Sequence, residues 1–182
     1  QMSLKHSSLW TNFGILTTRQ RVRKEDDTTM AQFFMTIMSG VEDGGAPKIE
    51  KVYDTHDEDF GEVNRVISRT SAVIQELQEK ILPSCKDSAL ANAPQLIVMF
   101  AAMAHIKFGL PNGDIEAAEM PARPGSLADQ ATLGANLELL KTALEAVDPP
   151  ASHTKFVNTR KSWLLIFTLC ETSSPRLSLA MI

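Results

Sequence analysis

PQLIVMFAAMAHIKF, residues 94–108, is the stretch that decides the fold of this chain. All nine residues from Leu96 to Ala104 are apolar, so a helix built from them has no polar face. Such a helix is buried in a core or crosses a membrane, and a membrane span needs roughly 20 residues. The Ala and Met residues in the run favour helix over strand. We therefore predict a buried central helix that begins after Asn92 and ends at Gly109.

Apolar residues recur at helical spacing elsewhere in the chain. In residues 60–82 they lie three and four positions apart, from Phe60 through Val63, Ile67 and Thr70 onward. Three heptads of this kind would also suit a coiled-coil seam. However, Pro83 favours a short loop and antiparallel packing on the central helix. Further helices are predicted over residues 4–16, 28–39, 48–53, 126–147 and 159–170.

No segment predicts a strand, so the predicted fold is all-α, an irregular bundle of about six helices around the central one. The 182 residues are enough for one domain with a sizeable core. We expect that domain to cover residues 1–170 and to be followed by a loosely held tail at 171–182. Because Gln1 precedes Met2, we also expect the chain to be a fragment of a larger protein.

Composition limits the function classes. The net charge of −4 argues against binding of nucleic acid through bulk charge, although a local basic patch remains open. Cys85 and Cys170 fit neither a disulfide framework nor a zinc-site spacing, and the first residues lack a signal-peptide pattern. We therefore expect a cytoplasmic protein that has reduced thiols and no membrane partner.

One segment is strongly basic. Residues 16–27 read LTTRQRVRKEDD, where four cations lead directly into three acids. The cations could form a phosphate-binding patch. Alternatively, the segment is a solvated loop whose acids cap the next helix and cancel most of the positive field. A third outcome is an internal salt bridge from Arg23 to those acids. The cations are Arg19, Arg21, Arg23 and Lys24.

No catalytic or metal site is predicted. The acidic run YDTHDEDF at residues 53–60 fails the calcium-loop template and lacks nearby partners for zinc. The four histidines are scattered, and none lies in a nucleophile-elbow or H-E-x-x-H context. His105, at the end of the central helix, is expected to be a hydrogen-bonded histidine at the core boundary. We expect no catalytic residue, metal or cofactor.

Several strings together resemble one family. ILTTRQRVRKEDDTTMAQFFMTIMSGVEDG, KIEKVYDTHDEDF, AHIKFGLP and FVNTRKSWLLIF follow one another within residues 4–169. Their order resembles the helical region that follows the ParB/sulfiredoxin-like catalytic domain in GmrSD-type restriction and phage-defence proteins. The resemblance implies that nuclease chemistry belongs to an N-terminal domain with an Asp-Gly-Gln-Gln-Arg motif, and often to a C-terminal HNH domain. Neither signature occurs in this chain.

The resemblance therefore implies a non-catalytic helical domain that positions DNA or a ParB-like catalytic domain or subunit. Phosphate contact needs clustered Lys or Arg on one face. The alternative is a stand-alone helical protein-interaction module without a nucleic-acid role, which would bind through methionine-rich or leucine-rich faces. The candidate DNA contacts are Arg19, Arg21, Arg23, Lys24, Arg160 and Lys161.

Overall fold

The computed structural model describes residues 2–42, 46–56, 61–114 and 129–146. Helices are the sole regular elements in these ranges, which confirms the all-α prediction. The predicted helix at 159–170 and the tail at 171–182 lie outside the described residues. The helices are α1 (Met2–Lys5), α2 (Ser7–Asn12), α3 (Thr18–Val22), α4 (Glu25–Ser39), α5 (Ala46–His56), α6 (Val63–Lys80), α7 (Leu82–Cys85), α8 (Ala93–Phe108) and α9 (Gln130–Ala146).

Helix α8 is the buried central helix that the apolar run predicts. Its residues are buried from Val98 through Ile106. The Asn92 side chain accepts a hydrogen bond from the Gln95 amide at 3.0 Å and so caps the N-terminus. At the other end Gly109 has φ of 69°. Both predicted ends are confirmed.

Helices α4, α6 and α8 contact one another and form the core. The Phe33 ring of α4 stacks on the Phe100 ring of α8, and Trp10 of α2 stacks on Phe33 with 6.4 Å between ring centroids. Trp10 is fully buried and donates its indole N–H to the Ser3 carbonyl at 3.1 Å. The N-terminal helices therefore close one side of the core.

The buried face of α6 differs from the predicted stripe at its N-terminal end. Thr70, Ile74 and Leu77 are buried as predicted, but Val63 is 37% exposed and Val66 is fully buried instead. Val63 is the first residue of α6, at the exposed end of the helix, whereas Val66 lies almost one turn further along it.

Contacts from the end of α8 reach the middle of α6. The Lys107 ammonium donates to Glu76 Oε2 at 2.6 Å, and the Arg69 guanidinium lies 5.0 Å from the centroid of the Phe108 ring. The predicted packing of these two helices is confirmed, while their antiparallel direction stays a prediction. Helix α6 ends at Lys80, before Pro83, and Pro83 lies in the first turn of the short helix α7 instead of in a loop.

A close backbone contact joins the end of α4 to the loop after α8. The Asp114 amide donates to the Val41 carbonyl at 2.9 Å. A Cβ on Gly40 would lie 2.1 Å from the Pro111 carbonyl oxygen, so only glycine fits there. Lys48 of α5 is paired with Asp114 at 2.7 Å, which fastens α5 to the same loop. Within the described ranges, none of the helices combines the length and apolar content needed to span a membrane.

Candidate nucleic-acid interface

The basic segment is helical, so its interpretation as a loop is wrong. Helix α3 begins after Thr17, whose hydroxyl oxygen accepts from the Gln20 amide at 3.3 Å. In return, Gln20 Oε1 accepts from the Thr17 amide at 2.9 Å. This capping box satisfies two amides that a short helix would otherwise leave unpaired. It explains why five residues that lack apolar periodicity form a helix.

Gln20 also fastens α3 to α4. Its Nε2 donates to Glu25 Oε2 at 2.9 Å. Between the two helices Lys24 has φ of 60° and ψ of 29°, the left-handed conformation that turns the chain. The Thr28 amide donates to the Lys24 carbonyl at 3.1 Å. Helix α3 is therefore held in a defined orientation on the first turn of α4.

The three acids that follow the cations lie in the first turn of α4, where the helix dipole favours negative charge. This confirms the capping role predicted for them. Glu25 is half-buried and accepts from Gln20, Asp26 is buried, and Asp27 accepts a hydrogen bond from the Ser3 hydroxyl. The carboxylates of Glu25 and Asp27 therefore bind groups of the protein itself.

The cations form no ion pair with those acids. Arg19, Arg23 and Lys24 are exposed. None of the basic residues of the segment forms an ion pair with a described residue, although all three neighbouring acids are described. The salt bridge from Arg23 to those acids is therefore absent, and Glu25 and Asp27 accept hydrogen bonds from Gln20 and Ser3. Arg21 differs from the other cations, since it is half-buried and its Nε is covered without an acceptor among the described residues.

Two of the exposed cations lie on one helical face. Arg19 and Arg23 are four residues apart, and Val22 lies three residues after Arg19, so Arg19 is the neighbour of both on the surface of α3. Val22 is 79% exposed. Lys24 follows directly. We call these four residues the α3 face.

The remaining predicted positions cannot be placed in this surface. Arg160 and Lys161 lie outside the described residues, so their role as DNA contacts stays a prediction. Residues 57–60 of the acidic run at 53–60 also lie outside them, and Asp54 near its start is exposed. Within the part of the chain that the structure describes, no cluster of three or more His, Cys, Asp or Glu residues could hold a metal ion.

The buried titratable groups of the core have structural roles. His105 Nδ1 accepts a hydrogen bond from the Leu110 amide at 3.1 Å, which confirms its interpretation as a hydrogen-bonded histidine at the core boundary. Burial raises the pKa of the Cys85 thiol to about 11. A thiol with that pKa is protonated at neutral pH and is a poor nucleophile or metal ligand.

Gln20 is the residue that sequence reasoning missed. The T-x-x-Q spacing from Thr17 to Gln20 is the sequence signature of a capping box and could have indicated α3. The hydrogen bond from Gln20 to Glu25 has no sequence signature, because it depends on how two helices meet. No family model, curated protein or solved structure matched this chain when it was compared with them.

Proposed function

We propose that this chain is a non-catalytic helical domain of a GmrSD-type restriction or phage-defence nuclease, and that it positions DNA. The observation that carries the proposal is the separation of charge around α3. Arg19, Arg23 and Lys24 are exposed and form no ion pair with a described residue, while Glu25 and Asp27 are bound by Gln20 and Ser3. Guanidinium and ammonium groups presented in this way suit contact with phosphates.

The expected binding is weak and depends strongly on salt. Each phosphate contact adds about 0.9 to the slope of log affinity against log salt, so three contacts correspond to a slope of about 2.7. Affinity would then fall by about 40-fold between about 50 and 200 mM salt. The net charge of −4 opposes long-range attraction, so the contact acts at short range.

A charge reversal with a matched control tests this proposal. Arg23→Glu should abolish low-salt binding of the full chain to a short duplex, measured by fluorescence anisotropy. Lys86→Glu is the control, because Lys86 is also exposed and follows α7, which packs against α6 and α9. That control should bind like the wild-type chain. Equal losses in both variants, or no binding by the wild-type chain, would contradict a DNA-positioning role.

The partner would be a ParB-like catalytic domain or subunit that supplies the nuclease chemistry. The family resemblance supports this part of the proposal. Purified alone, the chain should hydrolyse neither nucleotides nor DNA when magnesium or manganese is added. Metal-dependent cleavage that disappeared in an Asp57→Asn, Asp59→Asn variant would overturn the non-catalytic assignment.

The alternative, a protein-interaction module, would use methionine-rich or leucine-rich surfaces. The methionines of α4 do not offer such a surface, since Met30 and Met35 are buried and Met38 packs partly buried against the core. Leu133 and Leu137 of α9 are buried as well. The observations on α3 therefore favour DNA over this alternative.

A further inference from the structure

We infer that the α3 face contacts the sugar–phosphate backbone of duplex rather than single-stranded nucleic acid, and that Arg21 is not one of its contacts. The inference rests on the proposed function and deepens it, because it names the form of the ligand and divides the four cations into two roles. Arg19, Val22, Arg23 and Lys24 form the contact surface, and Arg21 lies outside it.

The spacing of the cations suits a nucleic-acid backbone, and their number favours a duplex. Residues four apart on a helix have Cβ atoms about 5–6 Å apart, so Arg19 and Arg23 can reach neighbouring phosphates of one strand. Their planar guanidinium groups match the oxygens of a phosphate. A duplex carries one charge per about 1.7 Å of its axis, twice the density of one strand, and therefore gives closely spaced cations more to bind.

Val22 distinguishes the two forms of nucleic acid. It is 79% exposed beside Arg19 on the α3 face, so a base of a single strand bound there would lie against an aliphatic side chain. Single-strand binders use aromatic side chains for that contact. An aliphatic side chain cannot stack in this way, but it can pack against the apolar side of a deoxyribose. This part of the α3 face therefore suits a backbone whose bases face away from the protein.

The α3 face is also rigid before it binds. The capping box of Thr17 and Gln20 fixes the start of α3, and the hydrogen bond from Gln20 to Glu25 fixes its orientation on α4. Side chains on a fixed backbone lose less conformational freedom on binding. Because the phosphates of a duplex are regularly spaced, a fixed spacing of the cations increases affinity for a duplex the most.

Arg21 lies differently on α3. It is half-buried, whereas Arg19 and Arg23 are exposed. Its Nε is covered and has no acceptor among the described residues, so that donor is turned away from solvent. A phosphate on the α3 face cannot reach Nε without moving the arginine. Arg21 should therefore contribute little to phosphate binding.

The experiment compares Arg→Gln and Lys→Gln variants of the full chain. Salt slopes are measured by anisotropy with a duplex and with one of its strands as probes. Arg19→Gln, Arg23→Gln and Lys24→Gln should each lower the duplex slope by about 0.9, and Arg21→Gln should leave it unchanged. Val22→Ser should weaken duplex binding several-fold without changing the slope. Circular dichroism melts verify that each variant is folded.

Three results would overturn the inference. One is tighter binding of the single strand than of the duplex, which would leave the proposed DNA role intact. Another is a decrease in the duplex salt slope for Arg21→Gln that is as large as the decrease for Arg19→Gln, Arg23→Gln or Lys24→Gln. The third is stronger binding to vesicles of phosphatidylserine and phosphatidylcholine than to the duplex, which would make the α3 face a lipid contact. If the wild-type chain bound neither the duplex nor the single strand, the proposed function would be overturned as well.

Discussion

The Phe33 ring of α4 lies on the Phe100 ring of α8, with 4.0 Å between their centroids and 9° between their planes. Both side chains are fully buried. Such a pair gains dispersion contacts over the whole ring in addition to the area removed from water. The pair fastens the helix next to the α3 face to the central helix, so its stability is a precondition for the candidate site.

Phe100→Ala should lower the free energy of unfolding by about 3–5 kcal/mol, because the substitution leaves a cavity in the centre of the core. Urea denaturation followed by circular dichroism measures this loss. Phe34→Ala is the matched control, since Phe34 lies on the same α4 as Phe33 but is only half-buried. Phe34→Ala should lower the free energy of unfolding by clearly less than Phe100→Ala does. A loss below about 1 kcal/mol for Phe100→Ala would contradict its place in the core.

Thr70→Val should leave the protein as stable as before or stabilise it by up to about 1 kcal/mol. Thr70 is fully buried on α6, and its hydroxyl has no hydrogen-bond partner among the described residues. Replacing that hydroxyl with a methyl group of similar size removes an unpaired polar atom. Thr70→Ser, which keeps the hydroxyl and loses the methyl group, should destabilise. If Thr70→Val destabilised the protein by more than about 1 kcal/mol, the hydroxyl would have to be hydrogen-bonded.

The sequence predicts the core better than it predicts the candidate site. Helix α8 could be predicted with both ends, because its burial follows from an apolar run and its ends from Asn92 and Gly109. Helix α3 was missed because it has no apolar stripe, so periodicity carries no information about it. The binding of Glu25 by Gln20 and of Asp27 by Ser3 could not be predicted either. These contacts depend on how α1, α3 and α4 meet.

Glu76 should give the protein an acid-sensitive contribution to stability. Burial alone would raise the pKa of Glu76, but hydrogen bonds from Lys107 and Lys80 outweigh it and hold that pKa below its ordinary value of 4.5. A carboxyl whose pKa is lower in the folded state stabilises the fold above the unfolded pKa, and that contribution is lost as pH falls through the folded pKa. The loss therefore begins near pH 4.5 and continues below it.

Urea denaturation between neutral pH and pH 3 tests this contribution. Glu76→Gln should make the free energy of unfolding fall less steeply below pH 4.5 than it does in the wild-type chain. Glu79→Gln provides the control, because Glu79 is exposed on the same helix and should leave the pH profile unchanged. Identical profiles for Glu76→Gln and the wild-type chain would show that Glu76 does not contribute through its charge.

Gln20 should act as a positioning residue for the α3 face. Gln20→Ala removes its hydrogen bonds to Thr17 and Glu25 but leaves every charge in place. Loss of the cap should cost about 0.5–2 kcal/mol of stability. Duplex affinity, measured well below the melting temperature, should also fall. A purely structural role would lower the melting temperature and leave that affinity unchanged.

Exchanging the side chains at positions 20 and 25 separates the effect of the hydrogen bond between them from the effect of net charge. Gln20→Glu keeps an acceptor for the Thr17 amide but places a second carboxylate against Glu25. The orientation of α3 on α4 should therefore change, and duplex affinity should fall. Adding Glu25→Gln restores the net charge, and the new amide at position 25 can donate to the new carboxylate at position 20. The double variant should therefore recover duplex affinity and melting temperature. If it bound as poorly as Gln20→Glu alone, the link between α3 and α4 would not be what orients the basic side chains.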